Sequence, residues 1–170
     1  MGAGGSGAAE ARDRAGARPR LVAVPGAGNG RSPRPARVVV FLGVGDDVRS
    51  RLAAALLAHR SKGRVLAVSA SPVAADQDPA VASCLAELGV DLGRVATQPP
   101  SPALLDGAEL VVVMGYDPDN LADGRRSEDW YIDDPRDKDA DAVRCIRDAI
   151  DRRVQRLLIR MGVALPTRPR

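Results

Sequence analysis

From Arg37 onward the chain alternates short, wholly apolar runs with stretches of helical spacing. Val38 to Leu42 is unbroken by any polar residue, the pattern of a strand buried on both faces. From Arg49 to about Arg60, the residues Leu52, Ala55, Leu56 and His59 recur at helical steps, and Gly63 closes the segment. Val65 to Val68 predicts a second strand. A loop through Pro72 leads to Asp78-Pro79, a cap and first-turn pair opening a helix that carries Val81, Cys84, Leu85 and Leu88 and stops at Gly89. After a proline-rich stretch, Ser101–Ala108 predicts one short capped helix, and Leu110–Met114 a third buried strand. Asp117–Gly124 is rich in turn residues, and Trp130-Tyr131-Ile132 predicts a short fourth strand. From about Asp139 a long amphipathic helix shows Val143, Ile146, Ile150, Val154, Leu157 and Met161 on one stripe, until Pro166 ends the ordered part. No internal repeat is visible.

Strands separated by helices imply an α/β fold: a four-stranded parallel sheet between two helical layers. Ligands of such sheets bind beyond the carboxyl ends of the strands. That rule points to Gly43–Arg49, Ser69–Pro72, Met114–Asp117 and Asp133-Asp134. Residues 1–36 are dominated by Gly, Ala, Arg and Pro, with Leu21, Val22 and Val24 too few to bury anything. They read as a disordered extension, or as a basic arm for nucleic acid or an acidic partner. Within them, Gly26–Arg31 has the glycines of a phosphate loop but no strand before it and no helix after. The folded domain is expected over residues 37–165, with 166–170 as a short tail.

Charge sharpens this division. The chain carries +3 overall. Six arginines against Glu10 and Asp13 give residues 1–36 about +4, leaving the rest about −1. Nucleic-acid contact is therefore expected, if anywhere, through residues 1–36. Aromatics are limited to Phe41, Tyr116, Trp130 and Tyr131, which favours a core of small branched side chains. Cys84 and Cys145 lack any metal-ligand spacing, and both fall in predicted helices. They are expected to be reduced, buried packing thiols of a cytoplasmic protein. No apolar run approaches the roughly 20 residues of a membrane helix, and no secretory signal is apparent. No cofactor is expected.

The stretch with most chemical content is Val38–Leu57, VVVFLGVGDDVRSRLAAALL. A loop between a buried strand and a helix N-terminus points backbone N–H groups at an anion. Arg49 would add a planar fork for two anion oxygens. The segment resembles the phosphate-binding loop of low-molecular-weight tyrosine phosphatases and thiol-coupled arsenate reductases: a strand, then Cys, five residues, Arg, Ser and a helix. The likeness continues through Ser69-Ala70-Ser71, Asp78–Leu92, Gly107–Asp117 and Glu128–Pro135. It implies a flavodoxin-like fold and an anion loop of Gly43, Val44, Gly45, Asp46, Asp47, Val48, Arg49 and Ser50. Asp134-Pro135 occupies the slot of the family's general acid. Trp130 ahead of it, and Met114-Gly115 at the end of the third strand, lean toward the arsenate reductase branch.

The departures are chemical. Gly43 stands where the resemblance calls for a nucleophilic cysteine, so no covalent intermediate can form there. Asp46 and Asp47 put carboxylates into an anion nest. One unit charge at about 5 Å and an effective dielectric of about 20 costs an anion a few kcal/mol. The redox cysteines expected just after the third strand are Tyr116 and about Asn120, and Asp133 replaces a proline before Asp134. Ser50, with no thiolate to tune, is left as a hydrogen-bonding group at the helix start. His59 reads as a partly exposed structural residue. Asp46, Asp47, Asp117, Asp133 and Asp134 read as solvated loop acids, as oxygen ligands for Mg²⁺, or as a dock for an Arg-rich peptide. Trp130 and Tyr131 read as edge-strand core or as a partner-contacting rim. Three functions follow: a degenerate relative that binds a protein or, weakly, a phosphate-like oxyanion; an enzyme using a non-cysteine route with Arg49 and Asp134; or an interaction module working through its basic arm.

Overall fold

The computed structural model describes residues 37–43, 48–73, 78–115 and 125–165. In chain order they form β1 (Arg37–Gly43), α1 (Val48–Ser61), β2 (Val65–Ala70), α2 (Pro79–Ala86), a 3-10 turn (Leu92–Arg94), β3 (Thr97–Gln98), α3 (Pro102–Asp106), β4 (Leu110–Met114), β5 (Ser127–Asp129) and α4 (Ala140–Arg160). All strand pairs are parallel, in the order β3-β2-β1-β4-β5. Because side chains alternate across a strand, β1 and β4 feed two cores. Val39, Phe41, Leu110, Val112 and Met114 pack under α1, α2 and α4. Val40, Leu42, Val111 and Val113 pack on the other face with Leu104, Leu105 and Ala108 from α3 and its end. The result is the three-layer α/β arrangement expected from the alternation.

α1 touches β1, β2 and α4, and Leu52 through Leu57 are buried without a break. Its three consecutive alanines let sheet and helix approach from both sides with no rotamer entropy lost. His59 faces solvent. The caps read from the sequence are present. The Asp78 carboxylate accepts from the amides of Ala80 and Val81, the Ser101 hydroxyl from Leu104, and Asp139 from Ala142 at 2.8 Å. Each satisfies a helix-end donor, worth about 1 kcal/mol.

Four expectations need correction. The sheet has five strands, not four: β3 is a two-residue polar edge strand paired through Ser69 with Thr97 and Ala70 with Gln98, too short to leave a hydrophobic period. The last strand is Ser127–Asp129, not Trp130–Ile132. Its residues are polar because it is an edge, and the apolar signal of Trp130 belongs to a core contact just beyond it. Tyr131 is 82% exposed, so the core reading holds for Trp130 alone. Cys145 is exposed, on the side of α4 away from the stripe of Val143, Ile146 and Ile150, whereas Cys84 is buried. Residues 1–36 and 166–170 lie outside the described residues. Among those described, no helix is long and apolar enough to cross a membrane.

Candidate functional site

The connection from β1 leads to β2 on one side, and the one from β3 crosses back to β4 on the other, so the crevice at the carboxyl ends of β1 and β4 is the topological switch point of the sheet. Gly43 is the last residue of β1, buried and in register with Met114 at the end of β4. α1 opens at Val48. Val44, Gly45, Asp46 and Asp47, assigned to the anion loop from the sequence, lie outside the described residues, as do Tyr116, Asp117 and Asn120. The frame around that loop is described, and it brings Arg49, Ser50, Ser69, Gly115 and the Ile132–Arg136 segment together.

Arg49 leaves the first turn of α1 and crosses the crevice. Its Nη1 donates to the backbone carbonyl of Ile132 at 2.9 Å. Gly115 lines its path at φ +73°, and a Cβ there would stand 2.7 Å from Nη2. Glycine serves twice at this position, by adopting a left-handed backbone and by leaving room for the guanidinium. Gly115→Ala is expected to cost roughly 1–2 kcal/mol for the backbone conformation alone and to displace Arg49 from Ile132. Chemical denaturation measures the first. An unchanged midpoint would show that the close approach does not govern this position.

Ser50 is fully buried, and its hydroxyl shares a hydrogen bond of 2.9 Å with Ser69 at the end of β2. Ser69 in turn meets the Thr97 hydroxyl of β3 at 3.2 Å. This hydroxyl chain ties the start of α1 to two strands. The sequence reading placed Ser50 at the helix start and Ser69 in the strand-end turn, but it missed their contact, because neither β3 nor its register leaves a periodic signal.

Asp134 is half-buried, between exposed Asp133 and buried Pro135. Its carboxylate accepts from the Arg136 amide at 3.0 Å and from Arg136 Nε at 2.9 Å. The Arg136 side chain, then the Arg136 backbone amide, then the charges of Arg136 and Arg49 hold this carboxyl below the usual carboxylate range, against a partial desolvation that raises it. A general acid must carry its proton near the working pH, and the lowering of this carboxyl runs against that role. Arg136, which the sequence reading passed over, is the group responsible. Because the folded-state value is depressed, the stabilisation from this pair is present above the unfolded carboxyl range and is lost as pH falls through the folded value. Arg136→Ala should move the Asp134 midpoint upward in a carboxyl-carbon NMR titration. An unmoved midpoint would assign the depression to Arg49.

Burial, with Glu87 adding to it, pushes the Cys84 thiol up, and Cys145 lies on the exposed face of α4. Among the described residues, no three His, Cys, Asp or Glu side chains converge as a metal site.

No model of a known protein family matches the chain. Solved structures do. An arsenate reductase in its phosphate-binding state is 20% identical with a TM-score of 0.65, over 75% of this chain and 99% of that one. The Erwinia amylovora tyrosine phosphatase amsI is 19% identical with a TM-score of 0.63, over 74% of this chain and 93% of that one. A thioredoxin-dependent arsenate reductase of Corynebacterium glutamicum is 26% identical with a TM-score of 0.60, over 75% of this chain but 63% of its own length. The fold is thus that of the arsenate reductases and low-molecular-weight tyrosine phosphatases.

Proposed function

We propose that this chain is a low-molecular-weight phosphatase or arsenate reductase-like domain that has lost covalent catalysis and acts by binding, to a protein partner or weakly to a phosphate-like oxyanion. The carrying observation is Gly43. It ends β1 at the switch point, where this fold's chemistry would need a thiolate, and it has no side chain. Arg49 and Ser50 support the retention of an oxyanion-facing frame, and a neighbour of the same fold is known in a phosphate-binding state. Asp134, paired with Arg136, supports the loss of turnover independently of Gly43. A non-cysteine route is the competing reading, favoured by Arg49 reaching the acid-loop carbonyl of Ile132. Hydrolysis of p-nitrophenyl phosphate by the parent chain separates the two. No turnover above background is expected, and turnover that disappears in Arg49→Ala would overturn the binding-only reading.

A further inference from the structure

β5 ends one side of the sheet and pairs with β4 alone. Its contacts to β4 use the Arg126 carbonyl, which accepts from Val111 at 3.0 Å, and the Trp130 amide, which donates to Val113 at 2.9 Å. Backbone groups of alternate residues point to opposite sides of a strand. Those of Ser127 and Asp129 therefore face outward, as an open edge to which an extended chain can add. Exposure keeps the same period beyond β5: Asp129, Tyr131 and Asp133 are exposed, Trp130 is buried, and Ile132 and Asp134 are half-buried. Three elements hold this ribbon. The Trp130 amide bonds to β4, Arg153 of α4 donates to the Tyr131 carbonyl at 3.1 Å, and Arg49 of α1 donates to the Ile132 carbonyl at 2.9 Å. The ribbon is fixed before any partner arrives, which lowers the ordering cost of binding.

Charge identifies the partner. Among the described residues, every carboxylate caps a helix or meets an arginine except Asp129, Asp133 and Asp137. All three lie on this ribbon or in the turn after it, and exposed Arg126 and Lys138 mark the ends of the acidic stretch. Tyr131 falls between the first two in sequence and is 82% exposed, whereas Phe41 and Trp130 are buried. An open ring flanked by uncompensated carboxylates suits a guanidinium or ammonium group, by stacking and by charge. Charge on an edge strand also keeps copies of a protein apart, and two-fold pairing of β5 with itself would set like charges against each other. That accounts for Asp129, but not for an exposed tyrosine or for acids past the end of the strand. The same carboxylates repel nucleic acid and anionic membranes.

We propose that β5 and the Tyr131–Asp133 segment form a docking edge for an extended peptide with basic residues at alternate positions, its backbone paired along Ser127 and Asp129. The proposal rests on the reading of this chain as a binding domain and names the class of partner. The hydrolysis assay tests that reading and a peptide assay tests this edge, so either can fail alone. The probe is a fluorescein-labelled octapeptide of alternating arginine and valine, read with the full-length chain by anisotropy over a salt series and by amide NMR shifts. Binding that weakens as salt rises is expected, with the Ser127 and Asp129 amides among those that move most. Methylating the peptide's backbone amides keeps its charge and removes its donors, and should weaken binding roughly tenfold or more. Tyr131→Ala should weaken it about two- to fivefold. Asp129→Asn with Asp133→Asn should weaken it at low salt and flatten the salt dependence. All three side chains are exposed, so both variants should melt like the parent. No binding at low salt would overturn the proposal. So would equal binding of the alternating glutamate–valine peptide, undiminished binding of the methylated peptide, or binding that leaves the Ser127 and Asp129 amides unmoved.

Discussion

Trp130→Ala should remove roughly 3–5 kcal/mol of stability, the range for deleting a large buried ring. Trp130 is 5% exposed and meets Phe41 edge-to-face, with centroids 5.6 Å apart at 63°. Such ring pairs add about 0.5–1.5 kcal/mol beyond their buried area. The Trp130 amide donates to the Val113 carbonyl at 2.9 Å, continuing the ladder past β5, and the indole N–H reaches Glu128 at 3.4 Å. The ring therefore anchors the point where the chain leaves the sheet for the loop carrying Ile132 and Asp134. Losing it opens a cavity under that loop and loosens the carbonyl to which Arg49 donates. Trp130→Phe keeps an aromatic face toward Phe41 and should cost only about a third as much. Urea denaturation followed by far-ultraviolet circular dichroism measures both, since the variants lack the lone tryptophan. If Trp130→Ala loses no more than Trp130→Phe, the ring is not what holds the loop.

What could be read from the chain, and what could not, divides on physical lines. Val39–Leu42 and Leu110–Met114 are buried on both faces, so their apolar runs are continuous, and their pairing is parallel. Asp78, Ser101 and Asp139 declare helix starts because a short polar side chain there has an amide to satisfy. β3 and β5 were misread because edge strands of two and three polar residues carry almost no hydrophobic signal. The site shows the same split. The spacing of a resemblance points to Gly43, Arg49 and Asp134, and the structure sets Gly43 at the end of β1 and Arg49 against the segment that holds Asp134. Gly115 and Arg136 carry no such signal, because their roles depend on where Arg49 and Asp134 point in space. Cys145 was misjudged because a helix placement says nothing of the face, and it lies one residue from Ile146 yet on the exposed side.

Gly43→Cys carries the largest functional effect expected of any single substitution here. Gly43 ends a strand in register with Met114, so a side chain requires no unusual backbone. The introduced thiol would sit near the start of α1 and within the field of Arg49, both of which favour a thiolate. Removing the nucleophile from a covalent enzyme costs about 10⁶-fold, and that sets the ceiling on what restoring one can return. One term holds the gain below it: Asp134 is paired with Arg136, which lowers its carboxyl and makes it a weaker proton donor to the leaving group. The variant should therefore hydrolyse p-nitrophenyl phosphate slowly but above the parent, with activity abolished by iodoacetate. Adding Arg136→Ala should raise the rate further toward acidic pH, because it lifts the Asp134 carboxyl back toward its ordinary range. The iodoacetate reaction also gives the thiol pKa directly. A depressed value without turnover would mean that the frame activates a thiol at Gly43 but lacks a working proton donor. An ordinary thiol value with no turnover would remove the basis for reading Gly43 as a vacated nucleophile position.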